Sequence, residues 1–335
     1  MRKVIVAFAA LTAMFCLSAC KGDSDSHRSG DIELLRFEQI LFETPEKELP
    51  KALAKFDESY KSPLLIIQPN DPMFMTQLVG FVADPIVREI YDATNHRYKN
   101  LYWLEAELTE ALNKAHNLDE EIDIEHFATF VSASFDYSRR IAIDRDSRSL
   151  LLSIDQYAVG DMENYNYFGL PMFIVERCDS TYIASDIMAE VARQYIASPT
   201  EGDGTDSEKS PTMLDLMISE GKVLYFLDQV MPKKEDHVKI RYSEEQMKWM
   251  RDNESKVWSY FIQNDLLYEK DYTRYHNFID EAPKTNAFKD SAPRTTQYIG
   301  WQIVRRYMSA NKCSMKELFD NKDSQAILTA SKYRP

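Results

Sequence analysis

The most legible chemistry in the chain is that of Cys20, a thiol directly behind Leu17-Ser18-Ala19, where small side chains suit a signal peptidase. Arg2 and Lys3 make a positive start, and residues 4–17 form an apolar run shorter than the ~20 residues that span a bilayer. The pattern is a lipobox. It predicts residues 1–19 as a signal peptide and Cys20 as the new N-terminus, its sulfur carrying a diacylglycerol thioether and its amine a further acyl chain such as palmitate. Several chains inserting together, at about 0.8 kcal/mol per buried methylene, make such an anchor effectively permanent. That lipid is the one non-protein group the sequence predicts; it implies no other cofactor.

Other reactive constellations are incomplete. The six histidines stand at 27, 96, 116, 126, 237 and 276, no two of them three or four apart, so a His-Glu-x-x-His zinc clamp cannot form on a helix. Among 9 glycines there is neither a G-x-S-x-G elbow nor a phosphate-binding loop. Met188-Ala189-Glu190-Val191-Ala192, with Glu220-Gly221 following, is spaced like the two ligand helices of zincin metallopeptidases, but Met188 and Ala192 would occupy the histidine positions. A degenerate zincin-like scaffold without its metal and a pair of ordinary solvated carboxylates, Glu190 and Glu220, both fit that spacing. Asp161 and Glu163 beside Gly160 are too few for a calcium site and read more simply as a turn. Trp249, Asn253, Glu254 and Trp258 concentrate aromatic and polar groups on one helix. Core packing, with Trp258, Phe261 and Ile262 inward, is the first reading and a partner-binding face the second.

The elements that must position these groups are mostly helical. Periodicity predicts helices over 71–95, 100–116, 186–197, 212–230, 244–264 and 295–310, plus a short one capped by Ser314 and Glu317. Apolar runs at 127–135, 140–143 and 150–154, separated by charged turns, predict a small central sheet. The fold class is therefore α+β, predominantly α-helical. Residues 20–30 read as lipidated cysteine and polar tether, and 31–335 as one globular body with a mixed part at 31–199 and a helical part at 212–335, the polar stretch 200–211 between them being a loop. Taking Arg2 and Lys3 from 40 basic residues leaves 38 against 54 acidic, a formal charge of −16 that repels nucleic acid and anionic headgroups. Acyl chains, not a basic patch, must then hold the protein to the bilayer. Cys178 and Cys313 are left as a pair whose bonding the sequence leaves open.

The carboxyl-terminal half carries more specific strings. Met217-Ile218, Gly221-Lys222, Leu224-Tyr225-Phe226-Leu227-Asp228 and Pro232 resemble the GldB family of gliding-motility lipoproteins. The likeness continues through Lys239, Tyr242, Gln246, Trp249, Asn253-Glu254, Trp258 and Tyr260-Phe261-Ile262, and again at Ile299-Gly300-Trp301-Gln302-Ile303-Val304-Arg305 and Ser331-Lys332-Tyr333. Upstream, Arg36-Phe37, Asp84-Pro85-Ile86 and Asp155-Gln156-Tyr157 with Gly160 stand in the same order. The resemblance implies a non-enzymatic lipoprotein of a motility- or secretion-associated envelope machinery. Its partners would be envelope proteins, its place the outer membrane on the periplasmic face or the cell surface. It brings no catalytic residues. The alternative is an envelope hydrolase, or an inactive pseudo-enzyme, on the zincin-like scaffold.

Overall fold

The computed structural model describes residues 31–134, 136, 139–161, 169–198 and 210–335. The predicted signal peptide, Cys20, the predicted tether, Glu163 and most of the predicted 200–211 loop lie outside the described residues. The body opens with β1 (Leu34–Arg36), which runs into α1 (Phe37–Glu43) and then α2 (Leu49–Tyr60). The helix predicted over 71–95 is two, α3 (Pro72–Ala83) and α4 (Pro85–Arg97). Asp84 ends the first because a residue before proline avoids the helical region, and its carboxylate then caps the second. Next come α5 (Tyr102–Leu118), β2 (His126–Phe130), β3 (Ile141–Asp144) and β4 (Ser149–Ser153), close to the predicted helix and strands.

The sheet order is β1-β2-β4-β3. β1, β2 and β4 run parallel and only β3 is antiparallel. Every residue of β4 is buried, as expected of a strand covered on both faces. A phenol from α2 ties the helical layer to it, Tyr60 donating to the Leu150 carbonyl at 3.0 Å. Beyond the sheet lie α6 (Met172–Val175) and α7 (Ser180–Tyr195), the latter starting earlier than its periodicity suggests because the Asp179 side chain accepts from the Thr181 amide.

The remaining chain is helical. α8 (Met213–Val230) opens with a Thr212/Asp215 capping box, and α9 (Asp236–Lys239) leads to α10 (Glu244–Gln263), capped by Ser243 and Gln246 as predicted. α11 (Tyr272–Ile279), α12 (Thr295–Ala310), α13 (Met315–Asp320) and α14 (Ser324–Ser331) complete it. Among the described residues the main hydrophobic core runs from Ile32 to Tyr333, through sheet and helices alike, and Val159, Ile174, Val175 and Cys178 form a smaller second cluster. Cys178 and Cys313 are both free. Among the described residues no helix is long and apolar enough to cross a membrane.

α8 and α12 approach so closely that only glycine fits between them. A methyl group added at Gly300 would lie 1.9 Å from the Met217 carbonyl oxygen, and one at Gly221 would lie 2.4 Å from the Gly300 carbonyl. Both obstacles are backbone, which cannot rotate away. Gly300→Ala is expected to cost about 3 kcal/mol, the upper end for overpacking a close-packed site. Urea unfolding should show it as a lowered midpoint, whereas an unchanged midpoint would mean that the two helices can separate freely.

Candidate functional site

One face of α7 is core: Ile183, Ile187, Met188, Val191 and Ala192 are buried. The adjacent face, Asp186, Ala189, Glu190 and Arg193, has the i, i+3, i+4, i+7 spacing of a single helical stripe and lines a cavity of about 400 Å³. Such a volume falls in the range of small-ligand sites. Glu220 of α8 and Gln297 of α12 line the same cavity, with Arg140 and Tyr157 from the ends of the sheet strands and Ile240-Arg241, Asp280-Glu281 and Arg294 from helix junctions.

Four of its five carboxylates, those of Asp186, Glu190, Glu220 and Glu281, are met by guanidinium groups. Arg193 spans two of them, donating to Glu190 at 2.6 Å and, through two nitrogens, to Glu220 at 2.9 and 3.2 Å. Burial alone would raise the Glu220 carboxyl, but Arg193 and then Arg294 hold it below the usual carboxylate range. The same attraction pushes the Arg193 guanidinium up. Asp186 accepts from the Tyr157 hydroxyl at 2.8 Å and from Arg241 at 2.7 Å. Burial, then the Asp186 charge, puts the Tyr157 phenol well above its ordinary value, so it acts as a fixed donor. Glu281 pairs with both Arg177 and Arg294. Burial, with Arg294 and Arg241 close by, brings Arg177 down to about 10.

Two of these arginines are held by unusual backbone. Arg241 and Arg294 have φ of 58° and 45°, the left-handed region that residues with a Cβ enter at a cost. Arg294 donates to the Ile240 and Arg241 carbonyls at 2.8 and 3.2 Å, so its side chain braces the strained backbone at Arg241. Arg140 lies over the Tyr157 ring, 4.9 Å from its centroid. Lys239 donates to Asp228 at 2.8 Å, and the same carboxylate accepts from Trp301 at 2.8 Å and from Arg305 at 2.7 and 2.8 Å.

The lining carries five basic side chains and five acidic ones, and no serine, threonine, cysteine or histidine. The hydroxyl in the lining is that of Tyr157, which donates to Asp186 and is held in its neutral form by burial and by that charge. Among the described residues no three His, Cys, Asp or Glu side chains form a group able to hold a metal ion. The arrangement can bind a ligand or peptide segment bearing both signs of charge.

A family model described as gliding motility protein GldB matches residues 20–335. The chain belongs to that family. No curated protein and no solved structure matched. Membership makes this GldB-family chain a gliding-motility lipoprotein, consistent with association with the cell envelope.

The sequence reading found this site only in part. Glu220 and Glu190 are in the cavity, but Met188 and Ala192 are fully buried in the core and do not meet Glu220 there. The cavity-facing carboxylates four residues apart on α7 are Asp186 and Glu190, a frame shifted by two residues. The apolar rhythm of Ile183, Ile187, Met188 and Val191 was the signal that places Asp186 outward. Arg241 and Arg294 gave no signal, because they are brought in from loops.

Trp249, Asn253, Glu254 and Trp258 are half-buried, with partners inside the fold. Trp249 packs against Phe288, Trp258 meets the Tyr333 ring edge-on, and Asn253 donates back to the Trp249 carbonyl. Glu254 accepts from the Tyr333 hydroxyl at 2.7 Å. Phe261 is buried as expected, whereas Ile262 is 47% exposed and not inward.

Glu220, with its pKa depressed, contributes stability above the ordinary carboxylate value of about 4.5 and loses it as pH falls through the depressed one. Arg193→Met leaves burial opposed only by Arg294, the smaller of the two attractions, so the carboxylate becomes a liability at neutral pH that protonation relieves. The expected loss is about 1–3 kcal/mol at pH 7, between the values for exposed and buried pairs because both side chains keep some solvent. The gap from wild type in urea midpoint should narrow towards pH 4; a gap independent of pH would place the Glu220 charge outside this network.

Proposed function

We propose that this GldB-family protein is a non-enzymatic component of the motility- or secretion-associated envelope machinery, anchored in the outer membrane by acylated Cys20, and that its charged cleft receives a segment of a partner. The observation that carries the proposal is the lining itself. Five acids and five bases, largely paired with one another, offer complementary contacts to a polar chain, and the lining carries no serine, threonine, cysteine or histidine. Charge pairs of this kind set register and exclude wrong partners more than they supply affinity. A modest interface suffices, because a lipid anchor confines the domain to the membrane and raises its effective concentration beside other membrane-bound components.

The lipobox supports the anchor, and the strongly acidic surface gives the bilayer no electrostatic hold. Cys20→Ala is expected to abolish labelling by a fatty-acid probe and to leave a precursor retaining residues 1–19, seen by mass spectrometry; labelled or processed C20A protein would contradict the anchor. The cleft is tested separately. Ala189 lines it without an ion-pairing role, so Ala189→Trp fills the space and leaves the arginine network intact. In a gliding strain dependent on this gene, A189W should stop spreading on agar at normal protein level and unfolding temperature. Normal spreading by A189W cells would remove the cleft from the proposal.

A further inference from the structure

From Ser62 to Val87 the chain carries only two charged residues, Asp71 and Asp84, in a protein that is 28% charged. Both are spent on helix caps. Asp71 accepts from the Met73 amide at 2.8 Å, and Asp84 from the amides of Ile86 and Val87 at 2.8 and 3.2 Å. Between them α3 has no charged side chain at all, yet not one of its residues is buried. A helix this apolar in a water-soluble body normally hides a wide stripe against the core. Here Phe74, Met75, Leu78, Phe81 and Val82 are only half covered, Met73 is 71% exposed, and the flanking Ile66 and Ile86 are 74% and 61% exposed. Uncharged apolar surface of this extent marks a contact with something apolar.

The position of α3 says what that contact is. From Cys20 to Asp31 is 11 residues, a reach of at most about 40 Å. The chain then enters the fold at Ile32 and passes through β1 into α1, whose Phe42 meets Phe81 of α3 with ring centroids 6.3 Å apart. Five extended residues and less than two helical turns separate Ile32 from Phe42, no more than about 25 Å of chain. The apolar helix therefore stands nearer to the tether's entry than the tether is long. The entry point also lies against α5: the Ile32 amide donates to Thr109 and the Leu34 amide to Glu105, at 3.0 and 2.9 Å. On the first turn of the same helix Tyr102 and Trp103 are 75% and 40% exposed, residue types that settle at a membrane–water boundary.

We infer that α3 and its flanking residues form a second membrane contact, inserting into the interfacial zone of the bilayer that holds Cys20 and so fixing how the domain stands on the membrane. The inference rests on the lipid-anchor reading for its geometry. Its surface has no basic residues among α3 and its caps, so it suits zwitterionic headgroups and needs no anionic lipid.

The test uses the mature chain from Cys20 with Cys313→Ser, so that Cys20 is the accessible thiol, Cys178 being buried. Coupling Cys20 to a maleimide-bearing lipid supplies the anchor whether or not cells acylate it, which separates failure of acylation from failure of α3 to insert. In vesicles of phosphatidylethanolamine and phosphatidylcholine with brominated acyl chains, the emission added by Met73→Trp should shift to the blue and be quenched, beyond any change in the parent's own tryptophans. Adding Ile66→Glu and Ile86→Glu, both at exposed positions, should abolish the shift and the quenching while leaving the protein vesicle-bound. M73W emission that is unquenched on vesicle-bound protein overturns the inference, as would happen if a partner protein were the occupant. A blue shift that grows with protein concentration without vesicles overturns it in favour of a second copy of the chain.

Discussion

Backbone contact between Gly221 and Gly300 lets α8 and α12 lie almost touching, and much of the helical half is laid out from that crossing. With any larger residue the axes would move apart, and groups one or two turns away would lose register. Towards the carboxyl end of α8 the crossing brings Asp228 within hydrogen-bond distance of both Trp301 and Arg305, whose guanidinium lies 3.7 Å from the indole centroid. One residue before Gly221, Glu220 turns to the cleft, and one after it Lys222 is buried, donating at 2.6 Å to the Asn321 carbonyl. Burial brings that amine down to about 8. A single steric condition thus sets the Asp228 cluster, one wall of the cleft and the docking of the chain after α13.

The cleft shows the cost of gathering charge inside a protein and the way this fold offsets it. Burial lowers the Arg241 and Arg294 guanidinium groups, and each is held by carbonyls or by a carboxylate from another element. The α7 carboxylates receive donors from a strand end, a helix and a loop, so none is left to ionise alone. An arrangement that holds Glu220 in its charged form beside Arg193 offers only a weak base at that position. It makes a good template for a ligand that exchanges one set of ion pairs for another.

Local signals and long-range ones were not equally legible. Capping boxes such as Ser243 with Gln246 and Ser314 with Glu317 involve atoms three residues apart, and the helices they open stand where the pattern puts them. Asp84-Pro85 is equally local, yet the apolar rhythm on either side masks the break. Tyr333 is the opposite case: the sequence shows an aromatic near the end, but nothing local says that its hydroxyl meets Glu254. The zincin-like spacing of Met188, Ala192 and Glu220 is unconfirmed for a related reason. A motif spacing chooses positions on a helix without saying which face the core takes.

By itself the sequence determined the lipobox at Cys20, the acidic surface, the α+β class with its mainly helical content, the starts of α3, α5, α8, α10, α12 and α13, and the family, because each is written in neighbouring residues or in composition. Tertiary structure alone decided the parallel pairing of β1, β2 and β4, the meeting of Asp186, Glu190, Glu220, Arg241 and Arg294 around one cavity, and the half-bare state of α3. These depend on which surfaces compete for burial across the whole chain. A helix as apolar as α3 reads as core in isolation, and only when the rest of the core is filled by other elements does it stand uncovered.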